Sequence, residues 1–286
     1  MKKIFLSLYR KGRKNMSRGY GFGKRKPVRK ILRVIESILK SDFAEIEGNK
    51  MFLGKGDPHS ISIEGVFGKL DTEIIKNCIK TGDIVVDLGA NIGYYTLIAA
   101  KLVGDKGKVF AFEPEPKNFE ILKKNVELNN YQNVILEQKA VSDVNEKINL
   151  YLSEGIGTHS IKLKQNIKQT IQVESIRLDD YFSNLNLTDK INFIKIDVEG
   201  AEFRALNGMN MILKQSKHLK IFTEFMKNFI VESGTEPKDM LELLINNGFN
   251  ISYVDDEKNR LVPIDIEHLL NADDSKTNNI LCERNL

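Results

Sequence analysis

A chain of 286 residues, 41% hydrophobic and 29% charged, has the length for one large core with an appendage and none to spare for a second catalytic domain. Its two cysteines, Cys78 and Cys282, lack the paired spacing of a zinc site or a disulfide framework and read as buried thiols, so a cytoplasmic location is expected. The net charge of +4 hides an asymmetry: residues 1–40 hold fourteen Lys or Arg against one acid, Glu36, giving +13 and leaving −9 for residues 41–286.

The basic arm opens on Ile4–Tyr9, six residues followed by Arg10-Lys-Gly-Arg-Lys14, too short an apolar run for a signal core or a spanning helix. No transmembrane segment is expected. Phe5, Leu6 and Tyr9 can share one face of a basic helix resting on an anionic membrane surface or on nucleic acid; the alternative is a solvated tail, since like-charge blocks with clustered glycine rarely pack. Ile31, Leu32, Ile35, Ile38 and Leu39 then recur at helical spacing. Residues 1–42 are thus read as a basic arm and helix. Residues 43–68 read as a β-rich lead-in, with strands over Ala44–Gly54, turning at Gly48-Asn49, and over Ser60–Phe67. Residues 69–286 read as the main domain, beginning with a helix over Asp71–Lys80 capped by Asp71.

The chain is organised around Asp83–Ala100. Ile84, Val85, Val86 and Leu88 form an apolar, mostly β-branched run suited to a strand buried on both faces. Gly89, Asn91 and Gly93 crowd turn-permissive residues together, and Tyr94–Val103 reads as a helix. A strand, a glycine-bearing turn and a helix N-terminus make a cradle for a polar ligand, because free amides and the helix dipole point the same way. The spacing Asp87-x-Gly89-x-Asn91-x-Gly93 departs from Gly-x-Gly-x-x-Gly, whose second glycine clears room for a pyrophosphate. Asparagine stands there instead, so a ligand without a pyrophosphate fits better, and S-adenosylmethionine is such a ligand. Twenty residues beyond Gly93, the run Lys108–Glu113 ends in a carboxylate placed to accept hydrogen bonds from both ribose hydroxyls.

Pro116–Asn129 is a crossover helix with proline in its first turn, and Val134–Gln138 a third strand. Ala140-Val141-Ser142-Asp143 falls just past a strand's carboxyl end, where ligands collect in doubly wound sheets. Lys147–Ser153 and Thr170–Leu178 alternate as strands around Gly155-Ile-Gly-Thr-His-Ser160, a glycine-bearing loop that carries His159. Phe193–Ile196 is a buried strand delivering Asp197, Glu199 and Glu202 to its carboxyl end. Lys195 within it needs a carboxylate partner, Asp197 or Asp87. Glu199 and Glu202 also suit the first turn of a helix over Ala201–Leu213. Strand Lys220–Phe225 brings Glu224, helix Pro237–Asn247 leads to strand Asn250–Val254, and Asn279–Glu283 is the last strand. Asp197, Glu199 and Glu224 have no defined ligand spacing, so no metal is expected.

Five segments together resemble the FkbM-type methyltransferases: Val85–Leu97, Phe112-Glu113-Pro114-Glu115-Pro116, Ala140-Val-Ser-Asp143, Gly157-Thr-His-Ser160 and Phe193–Glu202. The resemblance covers roughly Val66–Arg284, with one departure, Val66-Phe-Gly-Lys69 where the family tends to carry Tyr-Glu. It implies a class I, S-adenosylmethionine-dependent enzyme acting on a hydroxyl oxygen of a sugar, polyketide or other small molecule. Asp87, Gly89, Ala90, Asn91, Gly93, Glu113 and Pro114 would then hold the cofactor, with Val141 and Ser142 at its adenine. Asp197, His159 and Glu199 are the catalytic candidates. The expected fold is a Rossmann-like, seven-stranded, mostly parallel sheet with its last strand antiparallel. A nicotinamide dehydrogenase is the competing enzyme class, and an RNA methyltransferase or a non-catalytic adaptor using the basic arm lies further off.

Overall fold

Short β-branched runs alternating with amphipathic helices assemble around a central sheet in the computed structural model, which describes residues 9, 35–36, 38–54, 57, 60–153, 167–232, 234–264, 266–271 and 278–284. The expected surface-binding role of the basic arm rests almost wholly on residues outside this set. The chain divides into two compact units, Met1–Phe67 and Gly68–Leu286.

In the first unit, β1 (Phe43–Ile46) and β2 (Asn49–Phe52) form an antiparallel hairpin. Glu47 and Gly48, both at positive φ, make a two-residue turn whose twist matches the strands, one position earlier than the sequence suggested. The strand expected over Ser60–Phe67 is absent, and Ile61–Glu64 is a helical turn. Asp57 is the reason: its carboxylate accepts from Ile61 N at 2.9 Å, Ser62 N at 2.8 Å and Ser62 Oγ at 2.6 Å, which winds the chain instead of extending it.

The second unit carries β3 (Ile84–Leu88), β4 (Lys108–Phe112), β5 (Val134–Glu137), β6 (Ala140–Val141), β7 (Lys147–Ser153), β8 (Ile167–Ile176), β9 (Phe193–Ile196), β10 (Lys220–Phe225), β11 (Asn250–Asp255), β12 (Arg260–Pro263) and β13 (Asn278–Glu283). The central sheet has the order β12-β11-β13-β10-β9-β3-β4-β5. Its β10, β9, β3, β4 and β5 pair in parallel, while β13 runs antiparallel to both β10 and β11. The sheet thus has eight strands where seven were expected. The addition is β12, a four-residue edge strand ending in proline, a residue tolerated at an edge where its missing N–H breaks no ladder. A smaller sheet, β6-β8-β7, closes over Ala140, Leu150 and Val173.

Alternation along each strand sends side chains to two cores. Val86, Leu88, Phe110 and Phe112 pack with Leu206, Ile212, Leu213 and Leu241 on one face, and Val85, Val109, Phe193 and Phe222 pack with Ile74, Ile75, Ala99 and Val103 on the other. The helix covering that second face runs Lys69–Cys78, with Gly68 as its N-cap and Asp71 inside its first turn, not at the cap. The helix expected over Ala201–Leu213 is split into Glu202–Asn207 and Asn210–Gln215. Gly208 presses on the Ser142 carbonyl, where a Cβ would collide. The Asp179 carboxylate accepts from Met211 N and Ile212 N at 2.9–3.0 Å and starts a new helix.

Candidate active site

The turn after β3 is tied to both neighbouring strand ends. Asp197 N donates to Leu88 O at 3.1 Å, and Gly89 N and Ala90 N both donate to Phe112 O at 3.0 Å. Gly89 has φ 73°, and a Cβ there would overlap the Asp197 carbonyl, so only glycine lets the two strand ends approach. Asn91 is also left-handed, at φ 51°, and its N–H donates to Glu113 Oε2 at 2.8 Å. Gly93 caps the helix Tyr94–Val103, whose first-turn amides have no helical partner.

Glu113 is the brace of this turn. Its second oxygen accepts from Glu115 N at 2.9 Å, with half-buried Pro114 between them, and Glu115 in turn caps the helix Pro116–Leu128 through Asn118 N at 2.7 Å. Burial, opposed by the two amide hydrogen bonds, pushes the Glu113 carboxyl up to about 7. Each carboxylate oxygen still has a lone pair for a further donor. Two buried acceptors in the turn make no hydrogen bond among the described residues: Asn91 Oδ1 and Asp87 Oδ1.

The residues at the carboxyl end of β9 converge on the same turn. Register places Asp87 beside Lys195, so both side chains leave the same face of the sheet. Lys195, only 5% exposed, lies 3.2 Å from Asp197 Oδ2 and 3.7 Å from Asp87 Oδ1, with the Tyr95 ring 5.0 Å away. The two partners posed as alternatives by the sequence are thus both engaged. Burial alone would lower the Lys195 ammonium, but Asp197 and Asp87 more than offset it and hold its pKa above the ordinary value. Thr96 Oγ1 donates to the other Asp87 oxygen at 2.6 Å. The Asp197 side chain is 39% exposed, the one member of this group open to a partner from solution.

The other acids divide by role. Glu199, at φ 54°, is a turn residue. Glu202 is buried and accepts from Val198 N and Gly200 N at 3.1 Å, so it clamps the turn after β9 and is kept near 7 by burial. Glu224 stands at the end of β10, one step beyond the Thr223–Ile196 pair and therefore beside Asp197. Val141 and Ser142 are buried, with Val141 in the core and Ser142 Oγ donating to Asp143, itself held by Arg204, so neither side chain is engaged with the turn. His159 lies outside the described residues. Sequence reasoning missed the bracing duties of Glu115, Thr96 and Glu202. Only Glu115 carried a signal, an acid directly before a proline at a helix start. No group of three or more His, Cys, Asp or Glu side chains arranged for a metal occurs among the described residues.

A family model described as Methyltransferase FkbM domain matches residues 87–251, and one described as Protein-L-isoaspartate(D-aspartate) O-methyltransferase matches residues 26–143. The chain is 27% identical over 145 residues to Methyltransferase 1 of Beauveria bassiana, covering 44% of this chain and 58% of the relative. It is 29% identical over 167 residues to the hexuronic acid methyltransferase AglP of Haloferax volcanii, covering 57% of this chain and 61% of the relative. The matched region is thus under two thirds of the length of each of these relatives. Among solved structures, a putative rRNA-methylase from Clostridium thermocellum aligns with a TM-score of 0.47 and 16% identity, over 75% of this chain and 93% of that one.

Proposed function

Because the model matching residues 87–251 takes in more than half of it, the chain belongs to the FkbM methyltransferase family, and from that premise we propose that it moves a methyl group from S-adenosylmethionine to a hydroxyl oxygen of a sugar or other small molecule. The observation that carries this reading is the turn itself: a left-handed Asn91 with an unpartnered buried Oδ1, braced by Glu113 at the end of the next strand. The Asn91 side chain stands where a dinucleotide binder needs its pyrophosphate glycine, which argues against the dehydrogenase reading.

The residues fit the proposed cofactor. Glu113 has lone pairs left for the two ribose hydroxyls, and Asn91 Oδ1 makes no hydrogen bond among the described residues, while Asp87 Oδ1 faces the Lys195 ammonium at 3.7 Å. Asp87, Gly89, Ala90, Gly93 and Pro114 shape the turn around it, with Val141 and Ser142 proposed at the adenine end. S-adenosylmethionine bound there supplies a methyl on a positively charged sulfur.

The chain's own contribution is positioning and proton removal. Asp197 is the proposed base or orienter of the acceptor hydroxyl, aimed by the Lys195 ammonium at 3.2 Å. His159, in its glycine-bearing loop, is proposed to share the proton or close the site, and Glu199 is the reserve acid. Holding hydroxyl and methyl in line contributes most of the acceleration, and a positioned base about 10²- to 10⁴-fold. Incubating the protein with methyl-labelled S-adenosylmethionine and fractionated host extract tests this. Label in small molecules as an alkali-stable ether is the expected result, and label confined to protein or nucleic acid would contradict it.

A further inference from the structure

One row of polar side chains crosses the sheet just above the second core. Register sets Asn279 of β13 beside Glu224 of β10, and Thr223 beside Ile196 brings the next residues, Glu224 and Asp197, side by side. Glu224 is two residues beyond Phe222, which pairs with Lys195, so Glu224, Lys195, Asp197 and Asp87 all leave one face at the carboxyl ends of parallel strands. Asn279 hydrogen-bonds Asp71, from the helix Lys69–Cys78 packed over that face. The Glu224 carboxyl is half-buried. Among the described residues, Asp197, Glu199 and Glu202 from the neighbouring strand end disfavour a charge on it, and Lys195 opposes them.

Charge decides what this carboxyl is. Lys195 is already shared between Asp87 and Asp197, so it only partly compensates a further negative charge at Glu224. Like charges crowded in a partly desolvated site do not all ionise, and the least compensated group keeps its proton. From this geometry we propose that Glu224 is a third acceptor-facing residue, present as the neutral acid, which donates a hydrogen bond to the acceptor beside the hydroxyl that Asp197 receives. Burial first, then Asp197, Glu202 and Glu199, raise its pKa to about 9, in agreement with the protonated form at neutral pH. A carboxylate and a carboxylic acid side by side would select an uncharged hydroxyl compound bearing a second oxygen next to the methylated one. An anionic acceptor would meet the surplus of carboxylates. The proposal rests on the methyl-transfer reading.

Three variants test it, with label transfer to the extract acceptor followed from neutral to alkaline pH and cofactor binding checked by calorimetry. Gln keeps the shape and a donor, so Glu224→Gln should recover most of the neutral-pH rate that Glu224→Ala loses and lack the decline that the parent shows as pH rises through about 9. Glu224→Ala should lose roughly 10-fold or more in kcat/KM, the worth of a hydrogen bond in a partly buried site. Glu202→Gln should keep the alkaline decline. A Glu224→Gln variant as impaired as Glu224→Ala, with parental cofactor binding, would overturn the neutral-donor assignment, and a fully active Glu224→Ala would overturn its contact with the acceptor. Carboxyl-carbon NMR of the parent against Glu224→Gln decides the protonation without turnover: a Glu224 signal titrating near the ordinary carboxylate range overturns the proposal. Absence of S-adenosylmethionine binding by the parent would instead overturn the methyl-transfer reading.

Discussion

Glu113→Ala is expected to weaken S-adenosylmethionine binding by roughly 1.5 to 3 kcal/mol or more, measured by calorimetry, because two ribose hydroxyls lose a carboxylate acceptor. The loss should exceed that of an isolated contact. Glu113 also accepts from Asn91 N at 2.8 Å and Glu115 N at 2.9 Å, so its removal leaves two amides unpaired and frees the turn that shapes the cradle. Glu113→Gln separates these effects: it preserves the bulk and one acceptor oxygen but places an amide donor against one of the two N–H groups. An intermediate loss is expected for Gln. Unchanged affinity in both variants would remove Glu113 from the cofactor site.

Asp197→Asn is expected to lower methyl transfer by about 10²-fold or more while leaving cofactor affinity nearly intact, the signature of a base or orienter that acts on the acceptor. The structure sharpens the expectation. Lys195, buried between Asp87 and Asp197, loses one of its two carboxylates in this variant, yet Asp87 at 3.7 Å remains to compensate it, so the fold should survive. If cofactor affinity falls first, Asp197 holds the ammonium of the cofactor and not the acceptor. His159→Ala should lower turnover alone. Parental rates in both variants would move the assignment to Glu199.

Most of the sheet was legible because its signals are local. The runs at Ile84–Leu88, Phe193–Ile196 and Lys220–Phe225 are short, apolar and rich in β-branched or aromatic residues, and strands buried on both faces leave little else for such runs to be. Where the sequence misled, a side chain capping freed backbone amides had intervened. Asp57 turned Ile61–Glu64 into a helix, and Asp179, some thirty residues upstream, restarted the helix at Asn210. The edge strand Arg260–Pro263 escaped because four residues ending in proline look like a loop until β11 offers a partner. The same division holds at the site. Gly89, Asn91, Glu113 and Asp197 announce themselves by spacing, whereas the clamp of Glu202 on Val198 N and Gly200 N depends on a turn geometry that no periodicity encodes. Glu224 was grouped with Asp197 and Glu199 from the sequence, and the strand register makes it the direct neighbour of Asp197.

Calorimetric titration of the purified chain with S-adenosylmethionine, with its demethylated product and with NAD tests the central claim most directly. Saturable binding of the first two with no detectable heat from NAD is the predicted result, because the Asn91 side chain and the Glu113 brace suit a nucleoside without a pyrophosphate. Binding of NAD with none of S-adenosylmethionine would contradict it.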